Sequence, residues 1–112
     1  MIYLDNAATT RVAPEVFEAM SPFLQDEYGN PSSVYALAGR SAAALEDARR
    51  TVADFIGADP EEIIFTGGGS EADNLAIKGT MRKKDGGHMI TSAIEHHAVL
   101  HTCRYLEDEG YD

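Results

Sequence analysis

Three consecutive glycines, Gly67-Gly68-Gly69, stand between an apolar run, Ile63-Ile64-Phe65-Thr66, and a segment of helical composition that begins at Ser70. That order reads as a strand, a tight turn and a helix. The β-branched and aromatic run suits a short buried strand. The glycines strip the turn of side chains, and Ser70 is a residue type that starts helices. The order then repeats. Met89-Ile90-Thr91-Ser92 reads as a second strand. A helix follows from about His96 to Glu109, with Val99, Leu100, Cys103 and Leu106 on one face and Gly110 as its stop. Strand, helix, strand, helix at this spacing predicts an α/β fold with a parallel sheet. Two strands are too few for such a sheet, which needs several pairings and both faces covered. The last helix ends where a third strand is expected, so the 112 residues read as a piece of a larger fold.

The first half is helical. Residues 1–12 open with Ile2-Tyr3-Leu4 and turn small and polar, which reads as an extended arm. Pro14 suits the first turn of a helix. Val16, Phe17, Met20, Phe23 and Leu24 recur behind it at helical spacing, and Pro22 is expected to kink or end that helix. Residues 26–33, DEYGNPSS, form a loop. A second helix spans roughly 34–56 and stops at Gly57. Asp59-Pro60-Glu61-Glu62 turns the chain, and Lys84-Asp85-Gly86-Gly87 is a further turn.

Charge and composition exclude several classes. Nine basic residues against nineteen acidic give a net charge of -10, unsuited to non-specific nucleic-acid binding or to an anionic membrane. A local anion site remains possible, because backbone amides at a helix start need no net positive charge. The start lacks the regions of a signal peptide, and no apolar run approaches the roughly 20 residues of a membrane span. The lone Cys103 rules out an internal disulfide framework and suits a reducing, cytoplasmic setting.

Two segments can carry chemistry. At the glycine turn, Ser70 can cap the helix, and Ser70-x-x-Asp73 has capping-box spacing. The amides of Gly69, Ser70 and Glu71 then converge where the helix dipole favours negative charge, and phosphate is the obvious occupant. The spacing is neither that of a P-loop nor that of a dinucleotide fingerprint, and a plain glycine turn with an ordinary cap fits the same residues. Glu95-His96-His97 follows the second strand. Ligands of parallel sheets gather at such carboxyl ends, where an imidazole can stack on a flat ring or move protons. A solvent-facing histidine in a first helical turn fits equally well. His97 and His101 share a helix face and, with His96, His88 or Cys103, are conceivable zinc ligands, but no second ligand cluster has convincing spacing. No metal is therefore expected. The acidic groups at 59–62 and 107–109 read as solvated surface.

Taken together, four ordered motifs resemble the N-terminal part of cysteine desulfurases of the NifS/IscS type, within the class V aminotransferases. They are the arm Tyr3-Leu4-Asp5-Asn6-Ala7-Ala8-Thr9-Thr10, the loop Gly29-Asn30-Pro31-Ser32-Ser33, the turn and helix from Phe65 to Gly79, and the segment from Glu95 to Leu100. The resemblance covers the whole chain and only the first quarter to third of such an enzyme. It implies the large domain of a fold type I transferase dependent on pyridoxal 5'-phosphate. Residues 1–33 would be the arm, first helix and active-site loop, and residues 34–112 the start of the cofactor-binding domain. The two strands would be ones that are not neighbours in the complete sheet.

The resemblance also implies roles. Gly69 and Ser70 hold the cofactor phosphate. His96 stacks over the pyridine ring and assists proton transfers. Ala7, Ala8 and Thr9 line the substrate entrance, with the Gly29–Ser33 loop nearby. Tyr35 departs from the family's usual histidine at a position without a catalytic role. The substrate implied is L-cysteine, converted to L-alanine with sulfur passed to an enzyme persulfide for iron–sulfur cluster or thiocofactor assembly. The implied partners are a second copy in a homodimer and a sulfur-acceptor or scaffold protein. The family's Schiff-base lysine and acceptor cysteine match no residue here, since Lys78, Lys83, Lys84 and Cys103 occupy other positions. The chain alone is thus expected to be inactive. A segment of a selenocysteine lyase or another class V enzyme fits the same motifs, as does a truncated, non-enzymatic chain that binds phosphate or a partner.

Overall fold

Helix starts and stops fall close to where local chemistry puts them. The computed structural model describes residues 2–83 and 87–112. It contains α1 (Pro14–Gln25), α2 (Ala36–Ile56), a short 3-10 turn (Pro60–Glu62), α3 (Gly69–Lys83) and α4 (His97–Asp108). Residues Met1–Ile63 form one unit and Ile64–Asp112 another. Residues 84–86, most of the turn predicted over 84–87, lie outside the described residues.

In the first unit, Pro14 starts α1 as its fixed φ favours. The helix does not stop at Pro22. It runs three residues further, because a proline near the end of a helix removes only one ladder bond, and the carbonyl of Pro22 itself accepts from the amides of Asp26 (2.9 Å) and Glu27 (2.8 Å). The arm departs from the extended form expected of it. Amides of Ala8 and Thr9 turn back to the Asp5 carbonyl (3.1 and 3.3 Å), and Tyr3 Oη meets Thr9 Oγ1 at 2.5 Å. Small, polar residues make that turn inexpensive. Gly57 ends α2 with φ 69°, the left-handed conformation in which glycine carries no Cβ penalty. Glu62 Oε2 accepts from the Asp59 amide at 2.9 Å, and the Arg49 guanidinium donates to the Ile63 carbonyl. These contacts fasten the turn against α2.

The second unit is where expectation and structure part. Neither Ile63–Thr66 nor Met89–Ser92 forms a strand, and no strand is present among the described residues. The cause is the nature of a strand, which exists only when a neighbour supplies the ladder. Ile64 is 66% exposed and Ile90 86%, so both segments lie open rather than sandwiched. One trace of the parallel sheet survives. The Asp112 amide donates to the Gly87 carbonyl (3.2 Å) and the Asp112 carbonyl accepts from the Met89 amide (2.7 Å). One residue bonding both neighbours of position 88 is the hydrogen-bond pattern of a parallel pair.

α3 and α4 pack side by side around Met81, Thr102 and Leu106, all buried. The Thr102 hydroxyl, which would be costly to bury unpaired, donates to the Ala98 carbonyl at 2.7 Å. The two helices run in the same direction. Ser70 and His96 share one cleft at their starts, and Arg82 meets Glu109 at their ends. That parallel run is what a strand–helix–strand–helix chain produces.

Candidate functional site

Because α3 and α4 are parallel, their N-termini come to the same end of the second unit. Each helix start carries partial positive charge and unpaired amides. Between the helices lies an open cleft of about 380 Å³, lined from α3 by Ser70, Asn74 and Lys78 and from the α4 side by His96, His97 and His101. Two of the three residues assigned to the site by sequence, Ser70 and His96, therefore line one cavity, and Gly69 immediately precedes Ser70 as the first residue of α3.

The start of α3 differs from the capping box predicted for it. Ser70 is not the cap. Gly69 already belongs to the helix, and the first ladder bond runs from the Ala72 amide to the Gly68 carbonyl at 3.1 Å. Glycine can enter either conformation, so three in a row left the boundary open by one turn position. The turn is braced instead by Glu71, whose Oε2 accepts from the Gly67 amide at 2.7 Å, and by Thr66 Oγ1, which donates to the Gly68 carbonyl at 3.2 Å. Asn74 Nδ2 donates to the Ser70 carbonyl at 2.9 Å. The displacement of the cap frees the Ser70 side chain. Its hydroxyl has no hydrogen-bond partner among the described residues, and the amides of Gly69, Ser70 and Glu71 have no intrahelical acceptor.

Gly68 and Gly69 need a separate explanation. Positive φ among the described glycines occurs at Gly57, Gly87 and Gly110 and not here. A Cβ on either would meet no heavy atom within 4 Å. Neither backbone conformation nor packing among the described residues calls for glycine. What glycine does leave is bare backbone beside three free amides and a free hydroxyl, a donor set that fits the oxygens of a phosphate ester.

His96 is the N-cap of α4, and its Nδ1 accepts from the Ala98 amide at 3.1 Å. With Nδ1 so occupied, the neutral ring carries its proton on Nε2, the atom left to serve a ligand. The cap thereby fixes both the tautomer and the anchor point of an exposed imidazole. His97 and His101 stack with centroids 5.2 Å apart, as their shared face implies. No group of three His, Cys, Asp or Glu able to hold a metal occurs among the described residues. Cys103 is half-buried. Lys78 points its Nζ at the Tyr105 ring, 4.4 Å from the centroid. The arm with Ala7, Ala8 and Thr9 and the Gly29–Ser33 loop belong to the other unit.

One ionic cluster escapes a reading of the acidic groups as solvated surface. Arg82 Nη2 lies 2.8 and 2.9 Å from the two Glu109 carboxylate oxygens and 3.3 Å from Tyr105 Oη. The Tyr105 hydroxyl and the Arg82 guanidinium hold the Glu109 carboxyl below its ordinary range, and Glu109 raises Arg82 further. The signal was available. In parallel helices the basic last turn of α3 faces the acidic last turn of α4.

A family model described as aminotransferase class-V matches residues 2–112. The chain is 51% identical to the cysteine desulfurase IscS of Methanosarcina thermophila over 113 aligned positions, covering 99% of this chain and 28% of that protein. It is 52% identical to a putative cysteine desulfurase IscS 1 of Bacillus subtilis strain 168, covering 99% of this chain and 30% of the relative. Among solved structures it is similar to SspA in complex with cysteine, with a TM-score of 0.84 and 48% identity over 95% of this chain and 31% of that one. A NifS-like protein gives a TM-score of 0.85 at 38% identity, over 96% and 30%. The chain thus spans less than a third of the length of the relatives it matches.

Proposed function

The chain belongs to the aminotransferase class-V family, and we propose that it is the phosphate-gripping N-terminal part of a pyridoxal-phosphate-dependent cysteine desulfurase. The observation that carries this reading is the pair Gly68 and Gly69, unexplained by strain or packing, beside the partnerless Ser70 hydroxyl. On this reading residues 34–112 begin the cofactor-binding domain, and the open 63–66 and 89–92 segments are strands whose other neighbours come from the rest of the enzyme.

The chemistry divides between cofactor and chain. Pyridoxal 5'-phosphate, when bound, supplies an electron sink for bond-breaking at the amino acid. The amides of Gly69 and Ser70 and the Ser70 hydroxyl hold its phosphate, with the dipoles of two helix starts adding to the attraction. The His96 ring, anchored through Nδ1, covers the ring face and gives or takes a proton at Nε2. The lysine that holds the cofactor covalently and the cysteine that accepts sulfur are supplied from outside these 112 residues. The substrate is L-cysteine and the products are L-alanine and an enzyme persulfide, passed to a sulfur acceptor or scaffold for iron–sulfur or thiocofactor assembly. The enzyme works as a homodimer in the cytoplasm. No described helix is long and apolar enough to cross a membrane.

The test is made on the full-length protein. Pyridoxal 5'-phosphate binding is followed by absorbance, and alanine formation from L-cysteine is measured together with the sulfide that an added thiol reductant releases from the persulfide. Stoichiometric binding that Ser70→Ala weakens, with alanine formed, is the expected result. A protein that does not take up the cofactor, or takes it up equally well with Ser70→Ala, overturns the assignment. Alanine formed from selenocysteine but not from cysteine moves the chain to the selenocysteine lyases.

A further inference from the structure

Arg82 and Glu109 stand at the far end of the helix pair from the helix starts that open the cleft, and Tyr105, bonded to Arg82, is also one of the cleft's lining residues. Ser70 and Arg82 are twelve residues apart on α3, about 18 Å along the axis. His96 and Glu109 bracket α4 in the same sense. Tyr105 joins the two ends, since it hydrogen-bonds Arg82 through its hydroxyl and faces Lys78 and Arg82 with its ring. Lone surface ion pairs contribute little, but several charged and polar groups tied into a network are the exception, and here one Arg82 nitrogen is shared among both Glu109 oxygens and the Tyr105 hydroxyl. Arg82 and Glu109 are 51% and 33% exposed, so the contact is wet but not free. The apolar contact beneath it is small: among the described residues of this unit the buried apolar side chains are Met81 and Leu106. Two such side chains leave the spacing and rotation of two parallel helices weakly fixed, and a polar pin at one end removes that freedom.

We propose that Arg82, Glu109 and Tyr105 form a positioning clamp that fixes α3 against α4 and so sets the spacing of Ser70 and His96 across the cleft. Tyr105 lines the cleft as well as bonding Arg82, whereas Arg82 and Glu109 do not line it. Their effect on binding passes through the two helix axes, which are stiff over this length, so a change of angle at the clamp becomes a displacement at the cleft. Glu109 is held below its ordinary carboxyl range. The clamp is therefore complete above the unfolded carboxyl value of 4.5 and is lost as the pH falls through the lower folded value.

The inference rests on the phosphate reading of the cleft, and charge reversal separates the two. In the full-length protein the dissociation constant of pyridoxal 5'-phosphate is measured for wild type, Arg82→Glu, Glu109→Arg and the double reversal. Helicity is checked by circular dichroism, and the His96 ring signals are followed by NMR. Each single reversal is expected to weaken binding by about 3- to 10-fold and shift the His96 resonances, and the double reversal to recover both to within about 2-fold. Wild type that does not bind the cofactor defeats the phosphate reading itself. Wild type that binds, with single reversals binding equally well, overturns the clamp. So do single losses that the double reversal leaves uncorrected, since the double variant has the wild-type net charge and these losses report altered packing rather than the Arg82–Glu109 contact. Single reversals of opposite effect, one weakening and the other tightening binding, also overturn it, since these report net charge. If a reversal abolishes helicity, Arg82→Gln replaces it under the same criteria.

Discussion

Gly29 and Gly69 are both glycines at the mouth of a helix, and they are glycine for opposite reasons. A Cβ on Gly29 would lie 2.6 Å from the backbone carbon and oxygen of Leu37 and 2.7 Å from the Ala38 amide nitrogen. The residue is buried, and its loop is tied down on both sides. Ser41 Oγ donates to the Glu27 carbonyl at 2.7 Å, Arg40 pairs with Glu27 at 3.0 Å, and Asn30 Oδ1 accepts from the Ser32 amide at 3.0 Å. The loop is built against α2, and glycine is what allows the close approach. A Cβ on Gly69 would meet nothing within 4 Å. The first glycine is explained by the chain itself. The second has no such explanation among the described residues.

The contrast is broken most severely at Gly29. Gly29→Ala forces backbone against backbone, with no flexible side chain to give way, and is expected to cost about 3 kcal/mol, the upper part of the overpacking range. Denaturant unfolding of the full-length protein measures it. A loss under about 1 kcal/mol would show that the loop can lift off α2 and would remove the packing account of Gly29. Ser70→Ala is the reverse case. The unfolding midpoint is expected to hold, while affinity for pyridoxal 5'-phosphate falls by about 10- to 100-fold, the effect of losing one hydrogen bond to a charged group. Equal losses of stability and affinity would place Ser70 in the fold rather than in the site.

Gly57 sharpens the comparison by adding a third reason for glycine. Its φ of 69° is left-handed, yet a Cβ there meets no atom within 4 Å. Gly57→Ala is expected to cost about 1 kcal/mol from backbone strain alone and to leave ligand binding untouched. Thermal unfolding and a parallel binding titration check both halves. A stability loss as large as that of Gly29→Ala would mean an unseen close contact.

What could be read from the chain follows from how far each interaction reaches. The four helices were legible because their determinants are local: apolar residues at helical spacing, Pro14 at a start, Gly57 and Gly110 at ends. The strands expected from composition did not form, since Ile63–Thr66 and Met89–Ser92 lack the paired neighbour that a strand requires among the described residues. The Asp112 bonds to Gly87 and Met89 show that the second segment accepts a parallel neighbour once one is in reach. Ser70 and His96 were legible as a pair because parallel topology brings consecutive loops to one end. The Arg82–Glu109 contact was harder to read, because 27 residues separate its partners and the opposite charges of the two last turns point to each other only once the helices are known to run parallel. The Ser70 cap was misplaced for a smaller reason. Glycine has so little conformational preference that Gly69 joined the helix ahead of it.

Gly69→Ala is the smallest perturbation and the one in which the two kinds of glycine part in sign. Residue 69 is the first helical residue of α3 and its φ lies outside the positive range. Alanine is a better helix former there and narrows the unfolded ensemble, so stability is expected to rise by about 0.5 kcal/mol. The added methyl meets no described atom, so no steric term opposes that gain. It does stand beside the amides of Ser70 and Glu71, where a phosphate oxygen would sit, and affinity for pyridoxal 5'-phosphate is expected to fall several-fold. A variant that is more stable and binds less well can arise only if the native glycine is kept for a visitor at a cost to the fold. If Gly69→Ala lowers stability, the open space beside residue 69 is filled by the chain in its full-length form. If it stabilises and binding is unchanged, the phosphate sits elsewhere, and the free amides at the start of α3 face water.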